Sequence, residues 1–73
     1  MARDISILLG RRIRELRKAR NWRQINLAEE AGLNVIYISD LENGRKEICL
    51  RTLNALARAL DVNISDIFKP MGF

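Results

Sequence analysis

The segment that most constrains the fold of this chain runs from residue 24 to residue 43, with the sequence QINLAEEAGLNVIYISDLEN. Apolar or small residues recur in it at steps of three and four, first over residues 25–31 and then over residues 35–41. Such spacing is typical of amphipathic helices. Between the two runs, Gly32 can adopt the left-handed backbone that ends one helix, and Asn34 can accept the first amide hydrogens of the next. The segment therefore predicts two short helices joined by a turn of about three residues.

A first helix is predicted before this segment. Asp4 or Ser6 can serve as its N-cap, and the helix should run to about residue 20, where Asn21 breaks it. Its apolar face carries Leu9, Ile13 and Leu16. Trp22 begins the link to the second helix, and we expect its indole to plug the junction between helices.

Two more helices are predicted after the segment. A core helix over residues 50–60 places on one face Leu50, Leu53, Leu56, Ala57 and Leu60. Asn63, followed three residues later by Asp66, resembles a capping arrangement for a fifth helix over residues 64–68, which Pro70 stops. No repeat or low-complexity tract interrupts this order. We therefore expect residues 1–73 to form one all-α domain, a compact five-helix bundle with a central helix-turn-helix at residues 24–43.

The charge balance favours an anionic partner. Thirteen Lys and Arg residues oppose nine Asp and Glu residues, which gives a net charge of +4 in a chain of 73 residues. A solvated basic surface without any nucleic-acid role is the alternative reading of the same charge, so the placement of the basic residues has to decide. A chain of this length leaves no room for a second, effector-sensing domain, and we expect no small-molecule effector.

Composition argues against several other classes of protein. With one cysteine and no histidine, the chain lacks the usual ligands of a zinc site and the usual partner of a catalytic nucleophile. We expect no metal, no cofactor and no enzymatic activity, and we expect Cys49 to be a small apolar filler. No run of residues is long and apolar enough for a membrane span or a signal peptide, so a cytoplasmic protein is expected.

Several motifs, in order and spacing, resemble the Cro and repressor type of helix-turn-helix regulators, also called the xenobiotic response element family. The resemblance covers about residues 9–68. The segments that match the family are IRELRKARNWRQ, the pair LA at residues 27 and 28, Gly32, YIS at 37–39, LENG at 41–44 and LRTLNALARALDVNISDIF. The closing half is similar to single-domain controller proteins of restriction-modification systems. The resemblance implies a lambda repressor-like DNA-binding domain that binds DNA as a symmetric dimer, with helix three in the major groove.

The resemblance assigns contacts to the DNA backbone on both sides of the groove. Gln24 matches the position whose side chain and helix-start amide hold a phosphate, and Arg23 beside it replaces the small capping residue that the family often has. We expect a less well capped start of helix two as a result. The other backbone candidates are Tyr37, Asn43, Arg45 and Lys46. Such contacts orient the protein without reading the base sequence, and an ordinary solvated loop is the alternative for those after helix three.

Base reading is assigned to the exposed side of helix three. The candidates are Asn34, Val35, Ile36, Ser39 and Asp40. Val35 and Ile36 stand where polar readers are frequent in the family, although branched aliphatic side chains can contact thymine methyl groups. The alternative is that at least one of the two packs inward or marks a protein-binding surface. Asp40 can accept from a cytosine amino group, or it can repel phosphates and so weaken non-specific binding.

Two further assignments follow from the resemblance. Arg17 and Glu42 match an ion pair that ties helix one to the end of helix three, and two independent exposed charges are the alternative. One half-site per monomer buries little protein surface, so a homodimer is expected. The candidates for its interface, some of which must belong to the core, are Val62, Ile64, Ile67, Phe68 and Phe73.

These features predict a dimeric, sequence-specific transcriptional regulator that binds a near-palindromic operator on double-stranded DNA. RNA polymerase is a further candidate partner, and activation and repression are both open. The rival hypothesis is a protein-interaction module, antitoxin-like or adaptor, that keeps the fold without groove binding and uses Val35 and Ile36 for docking. Asp40 favours the rival. The basic residues favour DNA, namely Arg23, Arg45 and Lys46.

Overall fold

Helices account for most of the computed structural model, which describes residues 4–72. In chain order they are α1 (Ile5–Ala19), α2 (Gln24–Ala31), α3 (Val35–Glu42), α4 (Leu50–Ala59) and α5 (Ile64–Phe68). A single 3-10 turn, Lys69–Met71, follows α5. No strand occurs among the described residues. The all-α prediction is therefore confirmed, and each helix lies within about one residue of its predicted bounds.

The predicted caps and breaks delimit the first three helices. The Asp4 side chain accepts a hydrogen bond of 2.9 Å from the backbone N–H of Ser6 at the start of α1, and Asn21 has a φ of 59° just after its end. Gly32 closes α2 with a φ of 69°. Two residues later the Asn34 side chain accepts from the N–H of Ile36 at 2.7 Å. The turn between α2 and α3 thus contains three residues, as predicted.

All five helices contribute to one hydrophobic core. Its fully or nearly buried members are Leu9, Ile13, Leu27, Ala28, Ile38, Leu41, Leu53, Leu56, Ala57, Leu60 and Ile67. Trp22 packs against this core from the link between α1 and α2, as predicted, and the Arg20 guanidinium lies 4.5 Å from the centre of its ring. The core holds α3 by its inner side, because Ile38 and Leu41 are both 0% exposed.

Two predicted core positions are wrong. Leu50 was assigned to the apolar face of α4 but is 80% exposed. It is the first residue of α4 and lies beyond the end of the core. Leu50 therefore stays exposed although it shares a face of the helix with Leu53. Cys49, expected as a small apolar filler, is exposed at the N-cap of the same helix.

Two residues of α1 contact the neighbouring helices α3 and α5. Gly10 is buried against the end of α3, where a Cβ atom would collide with the carbonyl oxygen of Leu41. Arg12, two residues on, hydrogen-bonds the carbonyl oxygens of Asp66 at 2.8 Å and Ile67 at 3.1 Å. α1 thus joins α3 on one side to α5 on the other.

Candidate nucleic-acid interface

The outer side of α3 is the most prominent exposed helix face next to the three-residue turn. The core buries Ile38 and Leu41, and Ser39 and Asp40 between them are only partly exposed. Ile36 is 69% exposed. Asn34 is also exposed, and its side-chain oxygen is occupied by the helix-capping hydrogen bond to Ile36. The fold thus presents Asn34 and Ile36 outward, at the start of a helix that the core holds in place.

A buried ion pair holds α3 at its other end. The Arg17 guanidinium donates two hydrogen bonds to the Glu42 carboxylate, Nε to Oε2 at 2.6 Å and Nη2 to Oε1 at 2.9 Å. Both residues are only 7% exposed. A third guanidinium nitrogen, Nη1, donates to the carbonyl oxygen of Trp22 at 2.7 Å. The structure therefore brings together the two charges that were assigned to a pair, and it joins them to the link between α1 and α2.

Gln24 extends this network to the surface. Its side-chain amide donates to Oε1 of Glu42 at 3.1 Å, so Glu42 receives hydrogen bonds from both Arg17 and Gln24. Gln24 is the first residue of α2 and is partly buried. No buried side-chain nitrogen or oxygen in the described part of the chain lacks a partner. The network ties the start of α2, a site suited to an anion, to the end of α3.

Basic side chains lie on both sides of the helix pair. Arg23 is exposed at the N-cap of α2, where its backbone N–H donates to the Asn26 side chain at 2.8 Å. A guanidinium has no acceptor for the first amides of the helix, which agrees with the expected weaker cap. Arg45 and Lys46 are exposed in the loop after α3. Arg23, Arg45 and Lys46 are called the basic rim, a set of exposed cations at the start of α2 and after the end of α3.

Two polar side chains near the end of α3, an acidic one and an amide, are already engaged. Asp40 Oδ1 lies 3.6 Å from Nη1 of Arg45, and the Asp40 carboxylate is 25% exposed. Asn43 donates from its side-chain amide to the carbonyl oxygen of Ser39 at 2.8 Å. Since Arg45 offsets the charge of Asp40, the acidic residue adds less repulsion toward a polyanion than an isolated carboxylate would.

The remaining candidates for base reading differ in exposure. Val35 is partly buried and packs against the core, so the inward-packing alternative applies to it rather than to Ile36. Ser39 is also partly buried. Tyr37, assigned to the groove flank, is partly buried and packs against the core. Ile36 is thus the most exposed apolar side chain on α3.

The candidates for the dimer interface require one correction. Ile67 is 0% exposed and belongs to the core, so the prediction that it lines an interface is wrong. Its burial follows from the contacts of α5 with both α1 and α4. Val62 and Phe68 are partly buried against the core, and Ile64 is 39% exposed. Phe73 lies outside the described residues.

An apolar groove of about 300 Å³ lies near α5 and was not predicted. The start of α1, residues 47–53 around the start of α4 and the end of α5 form it. Its lining residues are Ile5, Ser6, Leu9, Glu47, Ile48, Leu50, Leu53 and Phe68. No single helical period marks such a site, because its members come from three separate parts of the sequence. The exposed isoleucine at the start of α1 is the one local signal that could have drawn attention to it.

Other kinds of site have little support. Among residues 4–72, no group of three or more metal-ligating side chains lies together, and no helix is long and apolar enough to span a bilayer. The Cys49 thiol lies 3.3 Å from the Thr52 hydroxyl. This side-chain hydrogen bond, helped by the backbone N–H of Thr52, lowers the pKa of Cys49.

Known proteins resemble this chain in both sequence and fold. The Helix-turn-helix family model matches residues 13–67. The immunity repressor protein of Bacillus phage phi105 is 42% identical over 59 residues, which cover 81% of this chain and 41% of the repressor. Control protein C.BamHI of Bacillus amyloliquefaciens is 34% identical over 68 residues, which cover 92% of this chain and 84% of the control protein. The chain spans half or less of the length of two curated relatives, the phage repressor and DdrOP3 of Deinococcus deserti.

A solved structure agrees with the arrangement of the helices. The restriction-modification controller protein C.AhdI from Aeromonas hydrophila superposes with a TM-score of 0.84 at 35% sequence identity, over 86% of this chain and 96% of that chain. The matched family region contains α2, the three-residue turn and α3 together with the buried ion pair. On these grounds the chain belongs to the helix-turn-helix family.

Proposed function

We propose that this protein is a sequence-specific DNA-binding regulator of transcription that acts as a dimer on a near-palindromic operator. The observation that carries the proposal is the start of α3, where Asn34 and Ile36 are exposed on a helix whose inner side the core holds, together with the exposed cations at the start of α2 and after α3. An α-helix fits the major groove, and its first turn approaches the base edges there. The relatives named as repressors and control proteins support the same role.

The basic rim supplies the sequence-independent part of the binding. Gln24 and Arg23 lie at the start of α2 and contact one strand of the DNA backbone, whereas Asn43, Arg45 and Lys46 contact it beyond α3. Each cation that neutralises a phosphate releases a counterion, so affinity falls as salt is added. Replacing Lys46 by Ala should weaken binding to all duplexes alike and reduce the logarithmic salt slope by about one per monomer. Lys69→Ala, which removes an exposed cation beyond α5, is the matched control.

The apolar groove near α5 supports the dimer. Leu50 projects from its margin at 80% exposure, so the same surface offers both a protruding side chain and a cavity. A two-fold symmetric interface requires such self-complementarity, because each partner presents the same patch. In the described lining of the groove Glu47 alone is charged, which avoids bringing the basic surfaces of two copies together. The second copy of this chain is therefore the occupant that we propose.

A substitution in the groove tests the dimer separately from the DNA contacts. Leu50→Lys should shift the sedimentation equilibrium toward monomer and leave thermal unfolding of the monomer nearly unchanged, since the side chain is exposed in the monomer. Arg51→Lys, an exposed position next to it, is the control. Sedimentation of wild-type protein as a monomer at high micromolar concentration would refute the dimer.

The competing function is a protein-interaction module that keeps this fold. One observation favours it, namely the large exposed apolar side chain of Ile36 on α3. Selection of bound duplexes from a random DNA pool at about 150 mM salt separates the two functions. The regulator should recover a two-fold symmetric motif. Recovery of no motif by intact, dimeric protein would contradict the proposal and favour the interaction module.

A further inference from the structure

Ile36 is the unusual residue of the exposed α3 face. It is the second residue of the helix and is 69% exposed, which is the largest exposure of any apolar side chain on α3. Its backbone N–H is held by the Asn34 side chain at 2.7 Å. A β-branched side chain in a helix has one strongly preferred rotamer, so Ile36 projects in nearly one direction. The side chain is therefore a rigid apolar contact rather than a flexible one.

The exposed cations at the start of α2 and after the end of α3 indicate the kind of partner that this side of the protein can contact. Arg45 and Lys46 are exposed beyond the end of α3, and Arg23 is exposed at the start of α2. This charge distribution complements a polyanion, and it disfavours an apolar protein surface that would have to desolvate the same cations. Within a major groove the apolar group at the base edges is the methyl group on C5 of a pyrimidine.

From these observations we infer that Ile36 reads the C5-methyl group of a pyrimidine in each half-site, carried by thymine or by 5-methylcytosine. The inference rests on the proposed function and names what its recognition helix selects. The nearby candidates cannot make the same contact, because Val35 packs against the core and the side-chain oxygen of Asn34 caps the helix. The methyl group alone, rather than the base-pairing pattern, should then contribute to affinity at one position of each half-site.

The expected effect follows from burial of one methyl group. Removing it should weaken binding by about four-fold in one half-site and by about fifteen-fold when both half-sites are changed. Deoxyuridine in place of thymine is the required probe, because it removes the methyl group and keeps every hydrogen-bonding atom of the base. Ile36→Ala removes the protein side of the contact and, at an exposed position, should not change thermal unfolding.

The experiment measures dissociation constants on the selected operator by fluorescence anisotropy. Each symmetric pair of thymines is replaced by deoxyuridine in turn, and wild-type protein is compared with Ile36→Ala. At one symmetric pair of thymines, the substitution by deoxyuridine should lower the affinity of wild type by about fifteen-fold and leave the affinity of Ile36→Ala unchanged. Ile7→Ala, which truncates an exposed isoleucine on α1, should keep the full discrimination of wild type.

A second set of duplexes distinguishes the two sources of the methyl group. Cytosine and 5-methylcytosine, each paired with guanine, are placed at the same position, and the methylated base should bind wild type more tightly by about four-fold per half-site. Methyl discrimination found only with thymine would limit the inference to that base. Equal affinity for deoxyuridine and thymine at every position, or equal losses in wild type and Ile36→Ala, would overturn it. Recovery of no operator motif at all would instead overturn the proposed function.

Discussion

Removal of the Glu42 side chain is the perturbation whose cost the structure defines best. In Glu42→Ala, the Arg17 guanidinium stays buried and loses two hydrogen bonds, of 2.6 and 2.9 Å, while it keeps the one to the carbonyl oxygen of Trp22. Gln24 loses its partner as well. Breaking a buried pair by removing one member costs about 3 to 5 kcal/mol, because the remaining charge is uncompensated.

That loss is comparable to the whole stability of a domain of this size. At about 0.05 to 0.15 kcal/mol per residue, 73 residues give an unfolding free energy of roughly 4 to 11 kcal/mol. Each kcal/mol shifts the melting temperature of a small domain by about 4 to 8 °C, so Glu42→Ala should lower it by at least about 12 °C. DNA affinity should fall with it, since Glu42 also positions Gln24 at the start of α2.

Thermal and urea denaturation followed by circular dichroism measure this effect. Glu15→Ala is the matched control, because Glu15 pairs with Arg12 at 3.5 Å but its side chain is 65% exposed, and its loss should stay within about 0.5 kcal/mol. The double variant Arg17→Met/Glu42→Leu should be more stable than Glu42→Ala, since no charge is left buried. A melting temperature of Glu42→Ala within a few degrees of wild type would refute the reasoning.

Three further predictions concern other contacts. Gly10→Ala should destabilise the protein by about 1 to 3 kcal/mol, because the new Cβ meets the carbonyl oxygen of Leu41, and urea denaturation measures it. Arg12→Ala should lower the free energy of unfolding by about 1.5 to 3 kcal/mol, because two hydrogen bonds to carbonyl oxygens of α5 are lost. Amide hydrogen exchange should accelerate more in α5 than in the other helices. The hydrogen bond to Thr52 lowers the pKa of Cys49. Alkylation of the thiol should therefore accelerate at a lower pH in wild type than in Thr52→Val, because the thiolate is the reactive form. Identical pH profiles of the alkylation rate in the two proteins would contradict this cause.

The helices and the turn were predictable because their signals are local. Helical spacing of apolar residues, the capping side chains of Asp4 and Asn34 and the left-handed backbone at Gly32 act within a few residues of each other in the sequence. The same local pattern failed at Leu50, because helical register gives the direction of a side chain but not where the core ends. The interface assignment of Ile67 came from the family resemblance instead, and the contacts of α5 with α1 and α4 place this residue in the core.

Contacts between distant parts of the chain could not be derived from spacing. Arg17 and Glu42 lie 25 residues apart, and only the family resemblance paired them. Nothing in the sequence paired Gln24 with Glu42, because a surface amide and a buried carboxylate show no common pattern. The hydrogen bonds of Arg12 to carbonyl oxygens of α5 were missed for the same reason, since a carbonyl group carries no side-chain signature.

The central claim is that α3 lies in the major groove of DNA, and methylation protection on the selected operator tests it most directly. Dimethyl sulfate modifies guanine N7 in the major groove and adenine N3 in the minor groove, so one reaction reports on both grooves. The account predicts that bound protein protects N7 positions in two patches centred about 34 Å apart, with adenine N3 still reactive there. Protection confined to adenine N3, or full affinity without protection of any N7 position, would contradict the account.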